Sequence, residues 1–224
     1  MKPVIVIPTY NEAQNIEKLI KQIFLLHVEN LEIIIVDDSS PDGTMDLVKN
    51  LAKTYPIHTI SQSKKMGLGV AYIKGFKKAL DIGADFIFEM DADFSHNPAD
   101  IPRLLQTARE KNCGLVIGSR KIPGGKIIGW SKWRQFMSTG AMWFSRKTLK
   151  LTVRDVTAGF RCFSRAVLNN IPIEKINSNG YAFQEELLYH TQKLGYKICE
   201  IPVIFFDRQK GKSKLSKKDI IEFF

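Results

Sequence analysis

No apolar run in this chain approaches the roughly 18 residues that a bilayer-crossing helix needs. The longest runs, such as Val4 to Ile7 and Ile33 to Val36, are of strand length. The N-terminus has one lysine before a short apolar stretch broken at Pro8, without a small-residue cleavage site. A secretory leader is therefore not expected, and a cytoplasmic chain is. Cysteine is scarce as well. Cys113, Cys162 and Cys199 are widely spaced and odd in number, which supports neither a disulfide framework nor a zinc motif, so all are expected as buried or half-buried thiols. Internal repeats and low-complexity linkers are missing too.

What is present is enough for a sizeable core. With 224 residues, 44% hydrophobic and 25% charged, the chain fits one folded domain better than two. A formal charge of +10 calls for an anionic partner, which nucleic acid, a phosphorylated metabolite or an anionic membrane would each satisfy. Basic residues are densest after residue 118, whereas acidic side chains cluster in short motifs of the first half. That asymmetry suggests metal chemistry in one half and phosphate capture in the other.

Apolar strands are predicted at Lys2 to Ile7, Leu31 to Val36, Ile57 to Ile60, Asp85 to Met90, Leu115 to Gly118 and Lys197 to Phe206. Helical patterns fall between them, with Ile16, Leu19, Ile20 and Ile23 about one turn apart, then near 45 to 53, 69 to 80, 100 to 110, 132 to 151 and 183 to 193. Alternation of this kind predicts an α/β fold, a mostly parallel central sheet with helices on both faces. The domain is expected over 1–209, and 210–224 reads as a basic loop entering a helix. That helix pattern breaks off at Phe224, so a longer parent chain is expected.

Ligands of such sheets bind beyond the carboxyl ends of the strands. Three polar motifs lie there, Pro8 to Glu12, Asp37 to Ser40 and Asp91 to Asp93. Asp91 and Asp93 are one residue apart, so at strand spacing both carboxylates reach one cation. A hard ion, Mg²⁺ or Mn²⁺, suits this pair because it takes few protein carboxylates and completes its shell with phosphate oxygens and water. Asp37 and Asp38 are placed to accept from a base or ribose hydroxyl. Lys64, Lys65 and Gly67-Leu68-Gly69 form a basic turn into a helix, a phosphate-facing arrangement that is common among turns of other purpose.

Taken together, Pro8-Thr-Tyr-Asn-Glu12, Asp37-Asp-Ser-Ser-Pro-Asp-Gly-Thr44, Met90-Asp-Ala-Asp-Phe-Ser-His96 and Gly118-Ser-Arg120 resemble the family 2 glycosyltransferases of GT-A fold. Trp133-Arg134 with Ser138-Thr-Gly-Ala141, Asp155-Val-Thr-Ala-Gly-Phe-Arg161, Gly180-Tyr-Ala-Phe-Gln-Glu-Glu186 and Asp207 to Leu215 narrow the resemblance to the dolichyl-phosphate or polyprenyl-phosphate mannose synthases. It covers essentially the whole chain. The resemblance implies nucleotide contacts at Pro8, Tyr10, Glu12, Val36, Asp38, Lys65, Gly67, Ala92, Arg208 and Lys214. It further implies a metal and diphosphate site at Asp91, Asp93 and Ser95, and an acceptor-phosphate site at Arg120, Arg134 and Ser138. Asp91, Asp93, Arg120 and Arg134 are the implied catalytic set. Ala158 and Lys212 depart from the commoner family pattern, as does the lack of C-terminal membrane helices.

The implied reaction is inverting transfer of mannose from GDP-mannose to dolichyl or polyprenyl phosphate. The alternatives are a UDP-glucose-dependent relative and a nucleotide-sugar sensor without turnover. A lipid phosphate is already an anion near neutral pH, its second pKa being about 6, so no general base is required. Residues 132 to 151 mix Trp133, Phe136, Met137, Met142, Trp143 and Phe144 with five cations, a composition that suits either a membrane-interface helix or a core helix with a basic face. A peripheral position on the cytoplasmic face of a membrane is expected, with an anchoring partner or a missing C-terminal segment. A nucleic-acid-binding role is not expected, because it leaves the strand-end carboxylates without a task.

Overall fold

The computed structural model describes residues 1–176, 178 and 180–207. Arg208, Lys214 and the basic segment 210–224, named above, lie outside the described residues. Seven strands form one sheet: β1 (Pro3–Thr9), β2 (Glu32–Asp37), β3 (Ile57–Ser61), β4 (Phe86–Glu89), β5 (Leu115–Ser119), β7 (Arg161–Ser164) and β8 (Ile198–Pro202). Their order is β3-β2-β1-β4-β7-β5-β8, parallel except for β7, which runs antiparallel to both β4 and β5. The mostly parallel sheet expected from the sequence is what forms.

Alternation along the strands explains the two layers of core. Val4, Val6, Ile34 and Val36 face one side, against Tyr72 and Phe76 of α3 (Leu68–Asp81) and Phe183 and Leu187 of α7 (Gly180–Lys193). Ile5, Ile7, Ile33 and Ile35 face the other, against α1 (Ile16–Phe24), α2 (Thr44–Leu51) and α4 (Ile101–Glu110). Helix α3 lies so close to β1 that a Cβ on Gly75 would sit 2.2 Å from Val6 Cγ1.

Several features depart from the sequence expectation. The segment read as one strand from Lys197 to Phe206 is two, because β9 (Ile204–Phe206) leaves the main sheet to pair with β6 (Lys126–Ile128). That small ribbon carries the chain across the edge where the polar motifs emerge. Strands β6 and β7 and helix α6 (Arg165–Asn170) were not foreseen, being three to six residues long and without clear periodicity. The cysteine reading also needs correction. Cys113, between α4 and β5, and Cys199, on β8, form a disulfide with Cα atoms 6.1 Å apart, while Cys162 is a buried thiol. Their sequence separation of 86 hid the contact, which the pairing of β5 with β8 creates.

Candidate active site

The carboxyl ends of β1, β2 and β4 converge as anticipated. β1 ends at Thr9, whose hydroxyl donates to Asp37 Oδ1 at 2.8 Å, and Asp37 also accepts from Ser40 N–H and Oγ. Asp37 is therefore a clasp between β1 and the loop after β2. Asp38 accepts from Gln62 Nε2 and from the N–H groups of Met66 and Gly67, at 3.2 and 2.9 Å. It braces the turn into α3, which carries Lys65 with its ammonium 4.3 Å from the Tyr10 ring centroid. Glu12 is buried and tied to Asn15, and its own N–H donates to Thr44 Oγ1. Pro8 and Tyr10 are half-buried at the rim. Val36 is fully buried among core side chains, so at this edge only its backbone is presented to a ligand.

Asp91 and Asp93 follow β4, partly exposed, with Ala92 buried between them. The Asp91 N–H donates to His96 Nδ1 at 3.2 Å, so the ring proton of a neutral His96 sits on Nε2, 3.9 Å from Asp91 Oδ2. Burial holds the His96 pKa down at about 4, and its ring stacks on Phe160 at 5.0 Å. Ser95 N–H donates to Asp93 Oδ1, while the Ser95 hydroxyl is buried with no hydrogen-bond partner. Two carboxylates beside an unsatisfied hydroxyl fit a hard divalent ion. No cluster of three or more His, Cys, Asp or Glu side chains able to hold a metal exists among the described residues. An ion here would thus complete its shell with phosphate oxygens and water.

Below this edge lies Glu89, fully buried beside the Gln184 side chain, with Arg161 Nε 4.0 Å away. Burial raises its pKa to about 8 against the pull of Arg161. The Arg161 guanidinium donates to the carbonyls of Val156, Ala158 and Gln184, at 2.7 to 2.8 Å, and so pins the 156–158 loop and α7 to β7.

The basic residues gather on the next part of the edge. Arg120 is buried, not open to solvent as a free phosphate ligand would be. Nε and Nη2 hold Asp155 at 2.8 and 2.6 Å, and Nη2 also reaches Thr157 Oγ1 at 2.9 Å. Nη1 makes no hydrogen bond among the described residues. Burial works against ionisation of both partners, but Asp155 raises the Arg120 pKa and Arg120 lowers that of Asp155. Arg134, near the start of α5 (Lys132–Leu149), lies 4.0 Å from the Trp130 ring centroid and pairs with Asp207 at 3.1 Å. Arg120 is 5.9 Å from the same ring, so the two arginines meet at Trp130. Ser138 is half-buried one turn along from Arg134.

The sequence motifs thus assemble, but reading them missed the residues that hold them. Asp155 and Thr157 have no signal beyond their place in one motif, and Gln62 and Trp130 lie in none of the motifs. Helix α5 is neither a core helix nor a half-buried one. Only Met142 and Ser145 are buried, whereas Trp133, Phe136 and Trp143 are 69%, 70% and 61% exposed. No helix among the described residues is long and apolar enough to cross a membrane.

Residues 4–172 match the model of glycosyl transferase family 2. The chain is 40% identical over 217 residues to an undecaprenyl-phosphate mannosyltransferase of Micrococcus luteus, covering 96% of this chain and 88% of that one. It is 38% identical over 224 residues to a polyprenol monophosphomannose synthase of Mycolicibacterium smegmatis, covering 99% and 83%. Among solved structures, glucosyl-3-phosphoglycerate synthase of Mycobacterium tuberculosis, in complex with Mn²⁺, UDP and glucosyl-3-phosphoglycerate, superposes with a TM-score of 0.71. The identity there is 20%, covering 99% of this chain and 76% of that chain, a likeness of fold.

Proposed function

The chain belongs to glycosyl transferase family 2, and from that premise we propose that it transfers mannose from GDP-mannose to the phosphate of a polyprenyl phosphate, with inversion, releasing GDP. The reaction class and acceptor follow the two relatives named for mannose transfer to such lipids. The observation that carries the reading is the division of one sheet edge into a carboxylate pair, Asp91 and Asp93, and an arginine pair meeting at Trp130. One half suits a nucleotide diphosphate, the other a second anion.

Asp91, Asp93 and Ser95 are the residues that would hold Mg²⁺ or Mn²⁺, which when bound neutralises charge on the leaving diphosphate. The chain's own groups do the rest. Pro8, Tyr10, Glu12 and Asp38 line the nucleoside end, and Lys65 and Gly67 stand at the turn nearest the phosphates. Arg120 Nη1 and Arg134 orient the acceptor phosphate, with Ser138 beside them. An oxygen of that phosphate attacks the anomeric carbon as the bond to the GDP oxygen breaks, and the bonding pair leaves with GDP. The nucleophile is already an anion, so no side chain has to take a proton. Holding two mutually repelling anions in line is the main task, and charge-assisted contacts from arginine suit it.

Helix α5 supports work at a membrane surface. Its exposed aromatics and Lys132, Arg134, Arg146 and Lys147, with no acidic residue along the helix, match an interfacial helix. The test incubates the protein with labelled GDP-mannose or UDP-glucose, Mg²⁺ or Mn²⁺, and undecaprenyl or dolichyl phosphate, and counts label in the organic phase. Mannose label is expected, lost in Asp91→Ala and Asp93→Ala with circular dichroism unchanged. Absence of lipid-linked mannose with every pairing would sink the proposal.

A further inference from the structure

One cation of the acceptor region has no task in the scheme above. Lys121 follows Arg120 at the end of β5, where the chain folds back so tightly that a Cβ on Gly125 would lie 2.5 Å from the Ser119 carbonyl oxygen. Its backbone is held in that turn by a bond from its N–H to Ser119 Oγ at 3.3 Å. The side chain crosses to α5, where Nζ donates to Thr139 Oγ1 at 3.1 Å. The Thr139 hydroxyl proton is already given to the Gln135 carbonyl at 2.7 Å, and Gln135 Nε2 donates to the Trp130 carbonyl at 3.1 Å. Lys121 is thereby tied, through two turns of α5, to the tryptophan at which Arg120 and Arg134 meet.

The charges of this group are unevenly matched. Arg120 has Asp155 and Arg134 has Asp207, but Lys121 has no carboxylate within ion-pair distance among the described residues. The residue is half-buried, and burial lowers its pKa against the attraction of the more distant Asp155, with a smaller contribution from the repulsion of Arg120. The indole N–H of Trp130, a residue only 9% exposed, is likewise a buried donor with no acceptor among the described residues. An ammonium has three donors, of which Thr139 takes one. Unspent donors and one positive charge without a direct ion-pair partner, near two arginines, describe a place for a tetrahedral oxyanion.

We propose that Lys121 binds the acceptor phosphate directly, as a point-charge contact beside Arg120 and Arg134, whether or not it is tethered to Thr139. The proposal rests on the lipid-phosphate reading of the site and adds to it a residue that discriminates a phosphate-bearing acceptor from a neutral one. A structural role alone, tethering α5 to β5, is the competing explanation.

Lys121→Gln separates them, since glutamine can still bond to Thr139 but carries no charge. Thr139→Val removes the tether and keeps the charge, and Lys121→Arg keeps both the charge and a donor. In mannosyl transfer from GDP-mannose to a short-chain polyprenyl phosphate in detergent, Lys121→Gln is expected to raise the acceptor KM about tenfold, the size of one charge-assisted contact. The KM for GDP-mannose, and kcat at saturating acceptor, should stay within about twofold of wild type, as for loss of a contact made equally in ground and transition states. Lys121→Arg should restore most of the acceptor affinity, and Thr139→Val should leave it near wild type. Titration of farnesyl phosphate, followed by ³¹P NMR without donor, reads the same contact independently of turnover. Wild type should bind it about tenfold more tightly than Lys121→Gln. Equal affinities, no binding to wild type, or a Thr139→Val variant as impaired as Lys121→Gln would each overturn the assignment. Absence of lipid-linked mannose from wild type that still binds farnesyl phosphate would count against the transfer reaction alone.

Discussion

Arg120 and Asp155 form a bidentate pair inside the body, with Nε to Oδ2 at 2.8 Å and Nη2 to Oδ1 at 2.6 Å, and the Arg120 N–H donates to the same carboxylate at 2.8 Å. The pair joins the end of β5 to the loop before β7, so it fixes the arginine proposed to face the acceptor. Removing one partner leaves a buried charge uncompensated, and Asp155→Ala should cost about 3–5 kcal/mol of unfolding free energy. Urea denaturation at pH 7 checks this. The Asp155 pKa is depressed in the folded state, so its stabilisation is present above the unfolded value and disappears as pH falls through the folded one. Wild type should therefore lose stability more steeply than Asp155→Asn below about pH 4, the ordinary aspartate range.

Glu89 gives the opposite dependence. Its folded pKa of about 8 is above the ordinary glutamate value, so the folded protein holds a proton that the unfolded chain releases. Stability from this residue is greatest below the unfolded pKa and declines as pH rises toward 8, by at most about 1.4 kcal/mol per pH unit. Glu89→Gln should remove that decline. Denaturation curves of the two proteins, compared at pH 5, 6.5 and 8, should separate progressively with pH in favour of the variant. A constant offset would refute a neutral buried Glu89.

The strand ends were legible because β-branched runs stop abruptly at polar residues, as Ile33 to Val36 does at Asp37 and Phe86 to Glu89 does before Asp91. Register between remote strands has no such mark. The antiparallel insertion of β7, only four residues long, places the Arg161 guanidinium among three carbonyls, one of them on α7, which no local pattern announces. For the same reason the arginines were visible as cations, but their carboxylate partners were not. Asp155 is 35 residues from Arg120, and Asp207 is 73 from Arg134. Helix α5 was ambiguous because aromatic residues at helical spacing look the same whether they face a core or a bilayer.

The disulfide corrects the thiol reading and is directly checkable. Alkylation of the unfolded, unreduced chain should modify one cysteine, Cys162, and reduction should expose all three. In the folded state Cys162 should resist alkylation, because burial pushes its thiol pKa well up and the thiolate is the reactive form. Cys113→Ser should lower the unfolding free energy by about 2–4 kcal/mol, as a constraint removed from the unfolded chain. A mass shift of three adducts without reductant would show that Cys113 and Cys199 are unpaired.

Trp133, Phe136, Met137, Trp143 and Phe144 share one side of α5 at spacings of three, four and seven residues, opposite the face that buries Met142 and Ser145. Water is a poor environment for such a stripe, and its flanking cations suit anionic headgroups. Adding phosphatidylglycerol vesicles should shift tryptophan emission to the blue, and neutral phosphatidylcholine vesicles should do so less. Salt should weaken the anionic case, since headgroup attraction falls within a Debye length. Replacing Trp133 and Phe136 with glutamine removes exposed apolar area without touching the core. The variant should sediment with vesicles at least about tenfold less, the penalty expected for two lost aromatic anchors, while its urea midpoint stays unchanged. Transfer to a short-chain acceptor in detergent should survive in this variant, and transfer to a vesicle-embedded acceptor should fall. If both acceptors are used equally well, α5 is not the surface that brings the site to its lipid.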